Sequence, residues 1–210
     1  MHWHGLLQQG SEWMDGVPAV SMCPVAPGNS YTYRFQATPY GSTWYHSHYS
    51  SQYADGIWGP LVIHGPDTDS YDIDLGPVTL NDYYHRDYFS IVEDVMGTDL
   101  SKVLTVSDNN LINGKMNFDC GTTPGSSMSN STSNSNNTQA TCVNNAGLSK
   151  FNFISGKKHR LRLINTGAAG TQKFSIDNHT MTVIANDFIP LEPYQTKIVT
   201  LAVGFPTFMD

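Results

Sequence analysis

Nowhere in its 210 residues does the chain hold an apolar run approaching the roughly 18–20 residues that a helix needs to cross a bilayer. Charge is scarce as well. Asp, Glu, Lys and Arg make up 14% of the residues, with 11 basic against 18 acidic and a net charge of −7. No Lys/Arg run and no basic patch interleaved with aromatics occurs, so the electrostatic footprint of a nucleic-acid or anionic-membrane binder is missing. Three cysteines allow at most one internal disulfide and a leftover thiol. The opening residues lack the charged and apolar segments of a signal peptide.

What is present reads as strands. At 39% hydrophobic residues, the chain can bury one large core or two small ones. Tyr31-Thr32-Tyr33-Arg34-Phe35 puts three aromatics on one face of a strand, and His159-Arg160-Leu161-Arg162-Leu163 alternates charge with leucine. Thr180 to Ala185 and Lys197 to Val203 are rich in β-formers, while Pro27-Gly28, Gly65-Pro66 and Pro124-Gly125 punctuate as turns. These patterns imply an all-β protein of two sheets packed face to face. One helix is predicted, from Asp87 to Met96, with Tyr88, Phe89, Val92 and Val95 to one side and Gly97 after it. A domain boundary is placed at Gly65-Pro66-Asp67, giving segments 1–67 and 68–210. Within the second, 115–149 contains the polar run Ser126 to Gln139, too poor in apolar residues to pack.

The chemistry is concentrated in two histidine couplets, His2-Trp3-His4 and His46-Ser47-His48, which hold four of the eight histidines. In an extended strand the two members of each couplet face the same way, about 6.5–7 Å apart along the backbone. Two such strands side by side would converge four imidazoles. Neutral imidazole suits copper, zinc, iron or nickel, whereas calcium or magnesium would call for carboxylates and carbonyls. His64, His85, His159 and His179 have no second ligand at suitable spacing and read as non-ligands.

The words around the couplets carry a resemblance. His2-Trp3-His4-Gly5 runs on through Glu12-Trp13-Met14-Asp15-Gly16 to Cys23-Pro24-Val25-Ala26-Pro27-Gly28, and the second couplet lies in Thr43-Trp44-Tyr45-His46-Ser47-His48-Tyr49-Ser50-Ser51-Gln52-Tyr53-Ala54-Asp55-Gly56. This series resembles the first two copper-binding signatures of multicopper oxidases, and its HSH core with SSQYADG looks like a laccase of the fungal, ascomycete type. Tyr71 to Leu75, Leu111-Ile112-Asn113-Gly114, Gly156 to Asn165 and His179 to Ala185 extend the likeness over nearly the whole chain. That family's HPxHLHGH-like and HCHxxxH-like signatures do not appear, so a truncated fragment with a divergent tail is expected. The resemblance implies cupredoxin-like Greek-key β-sandwiches in two incomplete domains, the first lacking its opening strands and the second its closing ones.

It also implies roles. His2 would bind a type-2 copper, His4 and His46 one type-3 copper, and His48 the other, although a couplet can equally chelate a single ion. The type-1 site, with its cysteine and two histidines, would be absent, and a C-terminal domain would complete the cluster. The implied reaction is one-electron oxidation of small phenolic substrates coupled to four-electron reduction of O2 to water. Asp15, thirteen residues after His2, matches the family's acid near the type-2 copper and is the candidate catalytic proton relay. A plain Asp-Gly turn is the other reading, and the same two readings apply to Asp55. By resemblance Cys23 pairs outside this chain and would be left free here. Cys120 and Cys142 would close the polar insert with a disulfide worth roughly 3 kcal/mol.

Three sequons, at Asn130, Asn136 and Asn178, and the family's habit favour secretion to the extracellular space. One departure stands out. The position at which laccases carry a substrate-side acid falls on about Ala169, which puts preference for phenols in doubt. Two further readings remain open, a non-catalytic copper-binding module and another multicopper oxidase such as an ascorbate oxidase. A mononuclear zinc hydrolase is a third, which metal analysis would expose.

Overall fold

The computed structural model describes residues 1–66, 69–103, 106–119 and 145–204, and the backbone of 206–209. In chain order its elements are β1 (His2–Trp3), β2 (Gly41–His46), β3 (Trp58–Ile63), β4 (Ile73–Tyr83), α1 (Tyr88–Met96), β5 (Asn109–Ile112), β6 (His159–Asn165), β7 (Gln172–Phe174), β8 (Met181–Asn186), β9 (Ile189–Thr196), β10 (Val199–Leu201) and β11 (Pro206–Met209). The fold is all-β and cupredoxin-like. A three-stranded sheet runs β1-β2-β3, a six-stranded sheet runs β5-β4-β6-β11-β8-β9, and β10 pairs with β7. Every pairing is antiparallel except β4 with β6.

Strand periodicity decides what each face does. Val78 and Leu80 of β4, Leu161 and Leu163 of β6, and Met181 and Val183 of β8 alternate inward from the large sheet. They meet Val199 and Leu201 of β10 in a single buried cluster. Each such side chain contributes about 1.5–3 kcal/mol when fully buried. Between Leu161 and Leu163, Arg162 points to the opposite face and reaches Ser42 of β2 through its Nη1, at 3.0 Å. Ser42, Trp44 and His46 alternate along β2 on one face, so the side of β2 that carries the couplet also meets β6.

Three expectations need correcting. Residues 31–35 form no ladder with another strand among the described residues, and their alternation serves packing instead. Tyr33 and Phe35 lie with ring centroids 5.3 and 5.4 Å from Trp3. The helix has the expected bounds, with Asp87 as N-cap accepting from the Ser90 amide, but its buried residue is Ile91. Phe89 and Val92 face solvent at 54% and 38% exposure, because the packed face runs Tyr88, Ile91, Val95. Finally, the second domain, expected to lack its closing strands, has a strand at residues 206–209, β11, which lies between β6 and β8 inside the large sheet. Cys120, Cys142, the run Ser126 to Gln139, the sequons at Asn130 and Asn136, and Asp67 at the expected boundary lie outside the described residues.

Candidate metal centre

Antiparallel pairing sets His2 opposite His46 and Trp3 opposite Tyr45. The amide of His4 then donates to the Trp44 carbonyl at 3.1 Å, and Thr43 Oγ1 donates to the His4 carbonyl at 2.6 Å. With this register, the period-two rule places His2, His4, Trp44 and His46 on a single face. The His2 ring centroid lies 5.9 Å from that of His4, 5.3 Å from His46 and 5.4 Å from His48. His4 and His46 are 5.5 Å apart, and His46 and His48 5.8 Å. The four imidazoles of the couplets thus come together. One nitrogen from each of His2, His4 and His46 lies within 4.8 Å of the others, the one such group among the described residues. His48 stands beside it, exposed, at the edge of a cavity of about 650 Å³ lined by Met22, Cys23, Tyr31, Tyr33 and Tyr49.

Hydrogen bonds orient the rings. His2 Nδ1–H donates to the Asp15 carbonyl oxygen at 2.9 Å, and His46 Nδ1–H donates to the Ser47 carbonyl at 2.9 Å. In both rings the lone pair is then on Nε2, the usual arrangement around a metal-ligating histidine. His4 Nδ1 and His46 Nε2 are 3.3 Å apart. Burial, reinforced by the neighbouring His2 and His48, lowers the pKa of His4 to about 4. His46 is also lowered to about 4, chiefly by burial, against the opposing pull of its bond to Ser47. Both are therefore neutral donors at neutral pH.

The sequence did not single out the aromatic wall behind this cluster. Trp44 stacks on His46 at 4.2 Å, and Tyr53 packs 5.4 Å from His46 and 6.1 Å from Trp44. The signal was available for Trp44, which stands two residues before His46 and so shares its face. For Tyr53 it was not, since a loop brings it back.

Asp15 meets His2 mainly through its backbone. Its carboxylate Oδ1 is farther, 3.3 Å from His2 Nδ1, and at 32% side-chain exposure it touches both the ring and solvent. Turn and acid are here one residue. Gly16 makes the turn possible at φ +78°, and a Cβ at that position would run into the Met1 carbonyl. Gly16→Ala is therefore expected to destabilise the chain by about 1–3 kcal/mol from backbone strain alone. It should also displace β1, and urea melts together with the His2 ring resonance would register both effects.

Asp55 lies in the turn after the couplet, and its Oδ1 accepts the Tyr88 amide at 2.8 Å. The other histidines are remote from the cluster. His159 Nε2 accepts the Ile154 amide at 3.0 Å, and His179 Nδ1 donates to the Asp177 carbonyl at 2.8 Å. Around Ala169, the amides of Ala168, Ala169 and Gly170 donate to the buried Asp82 carboxylate at 2.6, 2.9 and 2.6 Å. Asp82 is the acid in this neighbourhood, and it is turned inward. Cys23 is exposed and free.

Two family models described as multicopper oxidase match the chain, one over residues 1–68 and the other over 74–206. The chain belongs to the multicopper oxidase family, an oxidoreductase family that binds copper. Within it the likeness is to fungal laccases. Laccase-2 of Botryotinia fuckeliana is 45% identical over 204 residues, 97% of this chain and 32% of that protein. Dihydrogeodin oxidase of Aspergillus terreus is 40% identical over 97% of the chain and 31% of its own length. Among solved structures, a mutant of the laccase from B. aclada superposes with a TM-score of 0.82 at 42% identity, over 100% of this chain and 36% of that one. The chain spans about a third of the length of these relatives. Copper fits this donor set, which consists of neutral imidazoles with oriented tautomers and no carboxylate in the nitrogen group.

Proposed function

We propose that this chain supplies part of the copper cluster of a laccase-type oxidase, which oxidises phenolic or related small molecules by single electrons and reduces O2 to water. The balance is four substrate electrons and four protons per O2, giving two waters. The observation that carries this reading is the convergence of His2, His4 and His46 nitrogens within 4.8 Å. Copper, when bound, would supply the one-electron steps.

His4 and His46 would share one type-3 ion. Their Nδ1 and Nε2 atoms, 3.3 Å apart, are close enough to bind one ion together. His2 would hold the type-2 ion and His48 the second type-3 ion. The remaining ligands, including the whole type-1 site, would come from a further domain of the kind its longer relatives possess. Segments 1–67 and 68–210 would be the two cupredoxin-like domains in this chain.

This chain's own residues would do the rest. The Asp15 carboxylate, between the His2 ring and solvent, would pass protons to the oxygen side. Trp44 and Tyr53 would keep water from the inner side of His46. Because Asp82 is enclosed by the amides of 168–170, it would not serve as a base for the substrate. Substrates already ionised or easily oxidised would then be preferred. Secretion, as with fungal laccases, is part of the proposal, and no helix among the described residues is long and apolar enough to cross a membrane.

Titration with Cu(II), followed by electron paramagnetic resonance, tests the ligand assignment. His46→Ala should weaken binding by about 100-fold, the upper end for disrupting a metal site's support. His179→Ala should leave it unchanged. Equal affinity in the two variants would overturn the assignment.

A further inference from the structure

The segment between the second couplet and β3 is a series of turns. Ala54, Asp55 and Gly56 donate their amides to the carbonyls of Ser51, Gln52 and Tyr53 at 3.0, 3.2 and 3.0 Å, and Ser47 closes the loop on Ile57 at 2.8 Å. All of these bonds are local. The Asp55 carboxylate is different, because its Oδ1 accepts the amide of Tyr88, 33 residues away. Tyr88 opens α1, so its amide is one of the four that a helix cannot satisfy internally. The cap residue Asp87 already accepts from Ser90, and Asp55 adds a second acceptor from outside the helix.

We propose that Asp55 is a positioning residue, which ties the loop after the couplet to the start of α1 and so holds Tyr53 against His46. An aspartate needed only for its turn would bond to its own neighbours, and this one spans two parts of the fold. Tyr53, two residues earlier, backs the His46 ring at 5.4 Å, and Ala54 between them is buried at 5% exposure. Movement of the loop therefore moves the wall on which His46 rests. In metal-ligand terms the inference rests on His46 being a copper ligand. The tie itself does not depend on that.

The experiment uses the 210-residue chain with three substitutions. Asp55→Ala removes the acceptor. Asp55→Asn keeps a side-chain carbonyl that can accept the same bond, and Asp87→Ala weakens the same helix without touching the loop. In the metal-free protein, Asp55→Ala should speed hydrogen exchange of the Ser47 amide about tenfold while Asp55→Asn and Asp87→Ala stay within about twofold of the parent. Cu(II) affinity should follow the same order, falling about tenfold in Asp55→Ala alone, as when outer-shell support is lost. Unchanged exchange in Asp55→Ala, an equal effect in Asp87→Ala, or failure of Asp55→Asn to rescue would each overturn the tie. Faster exchange with unaltered Cu(II) affinity would overturn its role in positioning His46. A parent chain with no Cu(II) affinity would sink the copper reading, and the exchange result would still decide the tie.

Discussion

Mixed with excess copper, the purified 210-residue chain is expected to show no intense blue absorption and no oxidation of a phenol above that of free copper. A blue copper site needs a thiolate beside two histidines. Cys23 is exposed and joins no histidine group among the described residues, while Cys120 and Cys142 lie outside them. Among the described residues, electrons from a substrate would thus have no thiolate entry point. The couplets would also bind copper weakly. On the proposed reading four imidazoles would hold one side of a cluster whose other side would come from a further domain, and preorganisation would be lost along with the ligands. An oxygen electrode and a visible spectrum check both halves of the expectation. Sustained oxygen uptake by a homogeneous preparation would overturn it, and would mean that self-association or a partner chain supplies the missing ligands.

How much of this was legible beforehand differs by residue. The couplets were readable because period two is a property of any extended strand, so His2 and His4 had to share a face wherever β1 went. Their pairing with His46 needed the family motif, since nothing local specifies that β1 lies on β2 in the register His2 opposite His46. The helix bounds followed from Asp87 and Gly97, but its buried face did not. Phe89 and Val92 are more apolar than their surroundings require, and tertiary packing selected Ile91 instead. The aromatics at 31–35 show the reverse case, an alternation that packs on Trp3 without a partner strand. β11 was missed because Pro206 to Met209 matches no expected family word. A strand between two others is fixed by its neighbours' free backbone groups more than by its own side chains. Asp55 and Asp82 carry side-chain bonds spanning 33 and 86 or more residues, which no local reading could supply.

Replacing Arg162 by leucine is expected to destabilise the chain by about 1.5–3 kcal/mol, the usual worth of hydrogen bonds to a charged group. Arg162 is 3% exposed, because Leu161 and Leu163 on either side of it anchor β6 in the core. Its Nε lies 2.9 Å from Asp74 Oδ2, its Nη2 2.6 Å from the same oxygen, and its Nη1 3.0 Å from Ser42 Oγ. Leucine would fill the volume but leave the Asp74 carboxylate, 26% exposed, with the Gly76 amide and solvent in place of the guanidinium, and take away the Arg162 donor from Ser42. The pair should also leave a signature in pH. Burial alone would raise the Asp74 pKa, but hydrogen bonds from Arg162 and the Gly76 amide, with the charges of Arg162 and Arg160, outweigh it and hold the group below its ordinary value. A carboxylate depressed in the folded state stabilises fully above its unfolded pKa of about 3.9 and loses that contribution as pH falls through the folded value. Parent chain stability should therefore drop below about pH 4, and Arg162→Leu, already lacking the contribution, should drop less. Urea melts at neutral pH and in acid measure both. A neutral-pH change within about 0.5 kcal/mol, the size of an ordinary surface substitution, would show the pair to be dispensable. Because Ser42 shares its face of β2 with Trp44 and His46, a large change would also place the strand behind the metal centre among the elements that this ion pair holds.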